Sequence, residues 1–143
     1  MAKKKSDKQK AKEKAWVAFS RYIRTRDCLR FRNSLDEGIC ITCKREYPFK
    51  HLQAGHFISG RGNAVLFDER IVYSQCSGCN VHLRGNYVEY FVFMEKEWGR
   101  DMIDEFRALK YQTKIYKVFE LQALEEEFKA KTQLLVDKYL TNK

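Results

Sequence analysis

The chain carries two C-x-x-C pairs, "CITC" at Cys40–Cys43 and "CSGC" at Cys76–Cys79. No other feature restricts its fold as strongly. Each pair turns two thiolates toward one point. Two such turns complete a tetrahedral zinc site, with each sulfur about 2.3 Å from the metal. The first residues, "MAKKKSDKQKAKEK", are charged rather than an apolar leader. The expectation is therefore an intracellular protein, in which paired cysteines serve metal rather than disulfides. Cys28 stands outside both pairs and reads as a packed free thiol.

Cys43 and Cys76 are separated by more residues than a compact zinc ribbon holds, so something folds between the two turns. Residues 38–75 contain glycines, the only proline (Pro48) and short apolar runs such as "IVY". That composition predicts loops and two or three short strands. Helical spacing surrounds this middle. Over 10–30 it shows in Ala15, Trp16, Phe19, Tyr22 and Ile23. Residues 79–98 read as a helix pair broken near "RGN", with "YVEYFVFMEKEW" central to the core and Gly99 as its stop. Met102, Ile103, Phe106 and Leu109 share one face of the next segment. Residues 112–140 read as one long helix carrying Ile115, Val118, Phe119, Leu124, Phe128 and Leu135, supported by the pairs Glu125–Lys129 and Glu127–Lys131. The predicted fold is α+β and mostly helical, with a small zinc-held β-hairpin plus helix of the treble-clef, or ββα-metal, kind over 38–98. It forms a single domain of 143 residues with a basic arm at 1–14. The longest fully apolar run near the middle, Tyr90–Met94, is far too short to cross a bilayer.

The formal charge of +9 predicts an anionic partner, most often nucleic acid. A solubilising surface would explain the total, but not the crowding of lysine at the start or the run Arg21, Arg24, Arg26, Arg30 and Arg32. A surface that tracks phosphates explains both. All three histidines, His51, His56 and His82, fall between Cys43 and Gly85. An imidazole in "AGHF" at a strand end suits a general base.

In order along the chain, "RYIRTRD", "CITC", "AGHF", "LFDER", "QCSGCN" and "GNYVEY" resemble the NinG/Rap recombination proteins of lambdoid phages. More distantly, C-x-x-C, a strand ending in histidine, then C-x-x-C-N resembles phage endonuclease VII and the wider HNH nucleases. The resemblance implies a DNA endonuclease acting on branched recombination intermediates such as Holliday junctions and D-loops, in a phage or prophage protein of the bacterial cytoplasm. It implies structural zinc on Cys40, Cys43, Cys76 and Cys79. It also implies a second, catalytic Mg²⁺ or Mn²⁺, with His56 activating water and Asn80 as a ligand on the first helical turn. Arg84 follows one turn later and reads either as a phosphate clamp or as a solvated arginine. Arg21, Arg24, Arg26 and Arg61 (in "SGRGN") are the DNA-contacting candidates.

The chain departs from the HNH pattern at two places. Gly55 stands where an Asp ligand is usual, and Ile71 where an Asn orients the histidine. The second ligand to the catalytic ion then lies among His51, His82, Asp68 and Glu69. The alternative to catalysis is a zinc-stabilised DNA-binding recombination mediator. The long C-terminal helix offers a homodimer interface or packs on its own core.

Overall fold

Helix α1 (Asp7–Arg32) shows how the core is laid down. Ser6 caps it: its hydroxyl accepts from the Gln9 amide, and the Gln9 side chain accepts from the Ser6 amide. That reciprocal pair satisfies two amides of the first turn. Ala11, Ala15, Phe19 and Ile23 recur at helical spacing and are buried. The stretch 1–14 is therefore not a separate arm throughout: from Asp7 it is helix, and Ala11 already packs into the core. The computed structural model describes residues 3–60 and 62–143.

The partner of α1 is the last helix, α5 (Val118–Thr141), which buries Leu121, Phe128 and Thr132. Phe128 packs edge-on to Phe19, with ring centroids 4.9 Å apart. Fully burying a phenylalanine contributes roughly 1.5–3 kcal/mol, which makes this contact a main fastening of the two helices. The long C-terminal helix starts at Val118, not at 112. Lys117 and Glu120 form its capping pair, and Ile115 and Phe119, read among the apolar residues of that helix, are exposed. The buried face of α5 is taken up by its own chain.

Between these helices in sequence lie two antiparallel hairpins, four strands among the described residues rather than two or three. Strands β1 (Glu37–Ile39) and β2 (Glu46–Pro48) enclose the first cysteine turn. Strands β3 (Leu52–His56) and β4 (Val72–Cys76) pair with Leu52 opposite Cys76 and His56 opposite Val72. A short helix, α2 (Asn63–Leu66), lies in their connection. The amide of Ile41 donates to the Ser74 carbonyl at 2.9 Å, which ties the first cysteine turn to β4. This is the α+β, mostly helical architecture expected, with its hairpins gathered around the four cysteines.

After β4 the expected first helix of the 79–98 pair is one wide turn, Gly78–His82. Arg84, Gly85 and Asn86 then all take positive φ. Arg84 is thus presented by a left-handed turn, not by the helical face it was expected to share with Asn80. Helix α3 (Tyr87–Trp98) buries Tyr90 and Met94 but leaves Val88 and Val92 exposed, so it covers the core with one side only. Gly99 ends α3 at φ +83°, a conformation natural to glycine. Helix α4 (Arg100–Leu109) buries Ile103 and Phe106. No helix among the described residues is long and apolar enough to cross a membrane.

Candidate metal centre and cleft

The sulfurs of Cys40, Cys43, Cys76 and Cys79 all lie within 4.8 Å of one another. A tetrahedron with bonds of about 2.3 Å has edges of about 3.8 Å. The Cys43 and Cys76 sulfurs are 3.9 Å apart. The donor set therefore fits a zinc ion.

Local donors surround these sulfurs. The amide of Cys43 points at Cys40 Sγ and that of Cys79 at Cys76 Sγ, at 3.5 and 3.4 Å. The Thr42 hydroxyl lies 3.2 Å from Cys40 Sγ, and Asn86 Nδ2 donates to Cys79 Sγ at 3.6 Å. Such partners orient ligands and stabilise their charge. Burial pushes the Cys40 thiol up, but the Cys43 amide and the Thr42 hydroxyl outweigh it and bring it down to about 6. Burial pushes Cys43 up to about 12. Cys28 behaves as the packed thiol expected: it is buried, and burial, then the Asp27 carboxylate, raise it to about 11.

A cleft of about 390 Å³ runs along β3, from Leu52 to His56. His56, Asn80 and Arg84 all line it, together with Trp16 and Tyr87. His56 is fixed from two sides. Its ring stacks on Trp16, with centroids 5.3 Å apart and planes 17° from parallel. Its Nε2 lies 3.1 Å from the Leu66 carbonyl. A carbonyl only accepts, so Nε2 carries the proton and Nδ1 is the basic nitrogen of the neutral ring. The Leu66 carbonyl does the orienting for which an asparagine was sought at 71. Ile71 itself is wholly buried in the core. Asn80 donates through Nδ2 to Gln53 Oε1 at 2.9 Å, which turns its own Oδ1 the other way.

None of His51, His82, Asp68 and Glu69 lines this cleft. His51 and His82 are exposed. Asp68 is paired with Arg70 at 2.7 Å, and Glu69 with Lys131 at 2.8 Å. The arginines of α1 also divide. Arg26 is turned inward: it donates to Asp27 and to the carbonyls of Glu69 and Val72, the last at 2.8 Å. It fastens α1 to β4 and is not placed to meet DNA. Arg24 lies over the Phe49 ring at 4.6 Å. Arg30 pairs with Glu97, and Arg32 with Glu37 and Glu46. Arg21 is exposed. Arg61 lies outside the described residues. A second basic surface, lined by Lys3, Lys4, Lys8 and Lys12, adjoins Asn63.

Sequence reasoning did not assign Trp16 or Leu66 to the site. Trp16 fits the core pattern of α1, and Leu66 acts through its backbone, which leaves no side-chain signal. Gln75 is a fainter case: it is a polar residue in a strand that is buried throughout.

A model of the family described as the bacteriophage lambda NinG protein matches residues 1–138. The chain is 29% identical over 99 residues to the protein ninG of Salmonella phage P22, covering 68% of this chain and 48% of that protein. It is 28% identical over 93 residues to its counterpart in Escherichia phage lambda, covering 64% and 45%. Over a shorter stretch of 56 residues it is 36% identical to that of Enterobacteria phage H19B, covering 38% and 28%. The matches thus span less than half the length of these relatives. No solved structure matches the chain.

Proposed function

We propose that this chain, which belongs to the NinG family of phage proteins, is a metal-dependent DNA endonuclease acting on branched recombination intermediates. One observation carries the reading: a single cleft is lined by His56, Asn80 and Arg84, and its histidine is held in the tautomer a general base needs. Nδ1 of His56 takes a proton from water as the water oxygen bonds to phosphorus and the bridging ester bond breaks. Trp16 and the Leu66 carbonyl keep the ring from turning during that transfer. Arg84, on its left-handed turn, donates to the phosphate beside the scissile bond. Asn80 offers a neutral amide oxygen of the kind that Mg²⁺ and Mn²⁺ accept. A divalent ion there would neutralise the charge developing on the phosphate and the leaving oxygen.

Affinity for DNA comes from exposed cations that have no regard for sequence. Arg21 and the lysines of the first turns of α1 are suited to this, because α1 also carries Trp16 into the cleft. Zinc does no chemistry in this scheme. Bound by Cys40, Cys43, Cys76 and Cys79, it would hold β4 and the turn bearing Asn80 against β1 and β2.

The test is nicking of labelled four-way junction, D-loop, single-stranded and duplex DNA, with and without Mg²⁺ or Mn²⁺. Cleavage of branched DNA, absent in His56→Ala at equal DNA occupancy, is the expected result. Equal rates would remove His56 from the mechanism. A second reading, a non-catalytic DNA-binding mediator, is favoured by Gly55, which offers no carboxylate beside His56. Binding of branched DNA without cleavage under any divalent ion would select it.

A further inference from the structure

Tyr87 opens α3, and Phe91 follows one turn later on the same face. A third ring, Tyr111, comes just after the end of α4 and is 84% exposed. All three line one groove of about 790 Å³, together with the buried Phe57 and Ile58. Aromatic rings gathered on a surface in this way mark a binding face. Tyr87 also lines the His56 cleft, and so does Ser59, whose side chain is hydrogen-bonded to the Tyr87 hydroxyl. The groove is therefore a continuation of the cleft. Gly85 makes room for the shared ring, since a Cβ there would stand 2.9 Å from Tyr87 Cζ.

Charge selects the occupant. Arg107 and Lys110 line the groove and are exposed. Arg100 lies over the Phe91 ring, 5.6 Å from its centroid. Asp104 is the acid of the lining among the described residues, and it stands 3.6 Å from both Arg100 and Arg107. The balance is positive, and it surrounds flat rings. Unpaired nucleobases stack on such rings while their phosphates meet the cations, at roughly 1–3 kcal/mol per stacked base. A paired duplex keeps its bases stacked on one another and gains nothing from the rings.

We propose that this groove holds the unpaired DNA strand that leaves the His56 cleft. Tyr87, Phe91 and Tyr111 stack its bases, and Arg107 and Lys110 meet its phosphates. The proposal rests on the DNA reading above and gives it a reason for branched substrates. Only at a branch or in a single strand are bases free to enter the groove.

The test is fluorescence anisotropy of the full zinc-loaded chain with labelled oligo-dT, a fully paired duplex, and a duplex carrying a single-stranded flap. No Mg²⁺ or Mn²⁺ is added, so that nothing is cut and binding alone is read. Wild type should prefer the flap and the single strand to the duplex. Tyr111→Ala should weaken both by about five- to hundredfold, the loss of one stacked base, and leave duplex affinity unchanged. Tyr111→Phe, which keeps the ring, should bind as wild type does. Lys110→Gln should reduce the salt slope for oligo-dT by about 0.7. Zinc content and circular dichroism check that each variant is folded. Wild-type affinity for the flap in Tyr111→Ala would overturn the proposal and leave the groove to a protein partner. An equal loss on the duplex, or a loss in Tyr111→Phe as large as in Tyr111→Ala, would also overturn it. These binding shifts without cleavage of any DNA once Mg²⁺ or Mn²⁺ is supplied would uphold the groove and remove the nuclease reading. Cleavage without the shifts would do the reverse.

Discussion

The two ends of the β3–β4 hairpin are four residues apart, about 13 Å at roughly 3.3 Å per residue, yet they treat polar atoms differently. At the Cys76 end the sulfurs are surrounded by donors close by in the chain: the Cys43 and Cys79 amides and the Thr42 hydroxyl from the turns themselves, and the Asn86 side-chain amide from the start of α3. Toward His56 a cleft opens to solvent along β3, and Gln75 on the facing strand buries an amide oxygen without a hydrogen-bond partner among the described residues. The first end is closed and local, so it can be read as a structural clasp. The second is assembled from α1, β3, β4 and two loops, and it lies open. A fold that only needed rigidity would have no reason to build the second end. That contrast is what the proposed division, chemistry in the cleft and stability at the cysteines, rests on.

Stripping the metal is the strongest test of this division. Zinc binding in such sites contributes folding free energy directly, on the order of 10 kcal/mol. Chelation, or Cys76→Ala, should therefore abolish zinc content and collapse the cleft with it, because β4 joins the two ends. Circular dichroism and zinc analysis read this out. A chelated protein that kept its fold would show the ends to be independent. Removing His56 works from the other side. His56→Ala should lower junction nicking by about 10²–10⁴-fold while zinc stays in place, with some loss of melting temperature from the lost Trp16 stack and the Leu66 carbonyl left without its partner. Loss of zinc in that variant would mean the ends are not separable.

The arginines of α1 sharpen the same contrast. Arg26 is paired with buried Asp27, which also accepts from the Ser74 amide at 2.7 Å. Arg26→Ala should cost about 3–5 kcal/mol in denaturant unfolding, because it leaves a buried carboxylate without its partner. The smallest effect belongs to Arg21→Ala. Stability should move by less than about 0.5 kcal/mol. The slope of log affinity for DNA against log salt should fall by about one if that side chain meets a phosphate. Equal stability losses in the two variants would contradict the inward placement of Arg26.

Much of this was legible in the residues. The cysteine clasp was, because its geometry is local to two four-residue motifs. So were Gly99 as a helix stop and His56 at the end of a strand. The start of α5 was not: Ile115, Val118 and Phe119 continue the apolar rhythm of a helix, and only the Lys117–Glu120 cap shows where it begins. The fates of Arg21 and Arg26 were not legible either. They lie on one helix, and what separates them is the segment leading into β4, whose Glu69 and Val72 carbonyls meet Arg26. Gln75 was invisible for a related reason. Its place in the interior depends on the absence of a side chain at Gly55 across the hairpin, and no pattern within one strand records that.

The pairing of α1 with α5 has a consequence for the order in which the chain acquires its structure. The apolar face of α1 waits for Leu121 and Phe128, about a hundred residues later, whereas the last zinc ligand is Cys79. Long-range closure is slow relative to local closure. At a synthesis rate of roughly 5–20 residues per second, the clasp can load its metal seconds before α5 is made. We expect refolding to show zinc uptake ahead of the burial of Trp16, read by stopped-flow fluorescence. In that interval the hydrophobic side of α1 is uncovered, so the window between metal loading and helix docking is when the nascent chain most needs protection from aggregation.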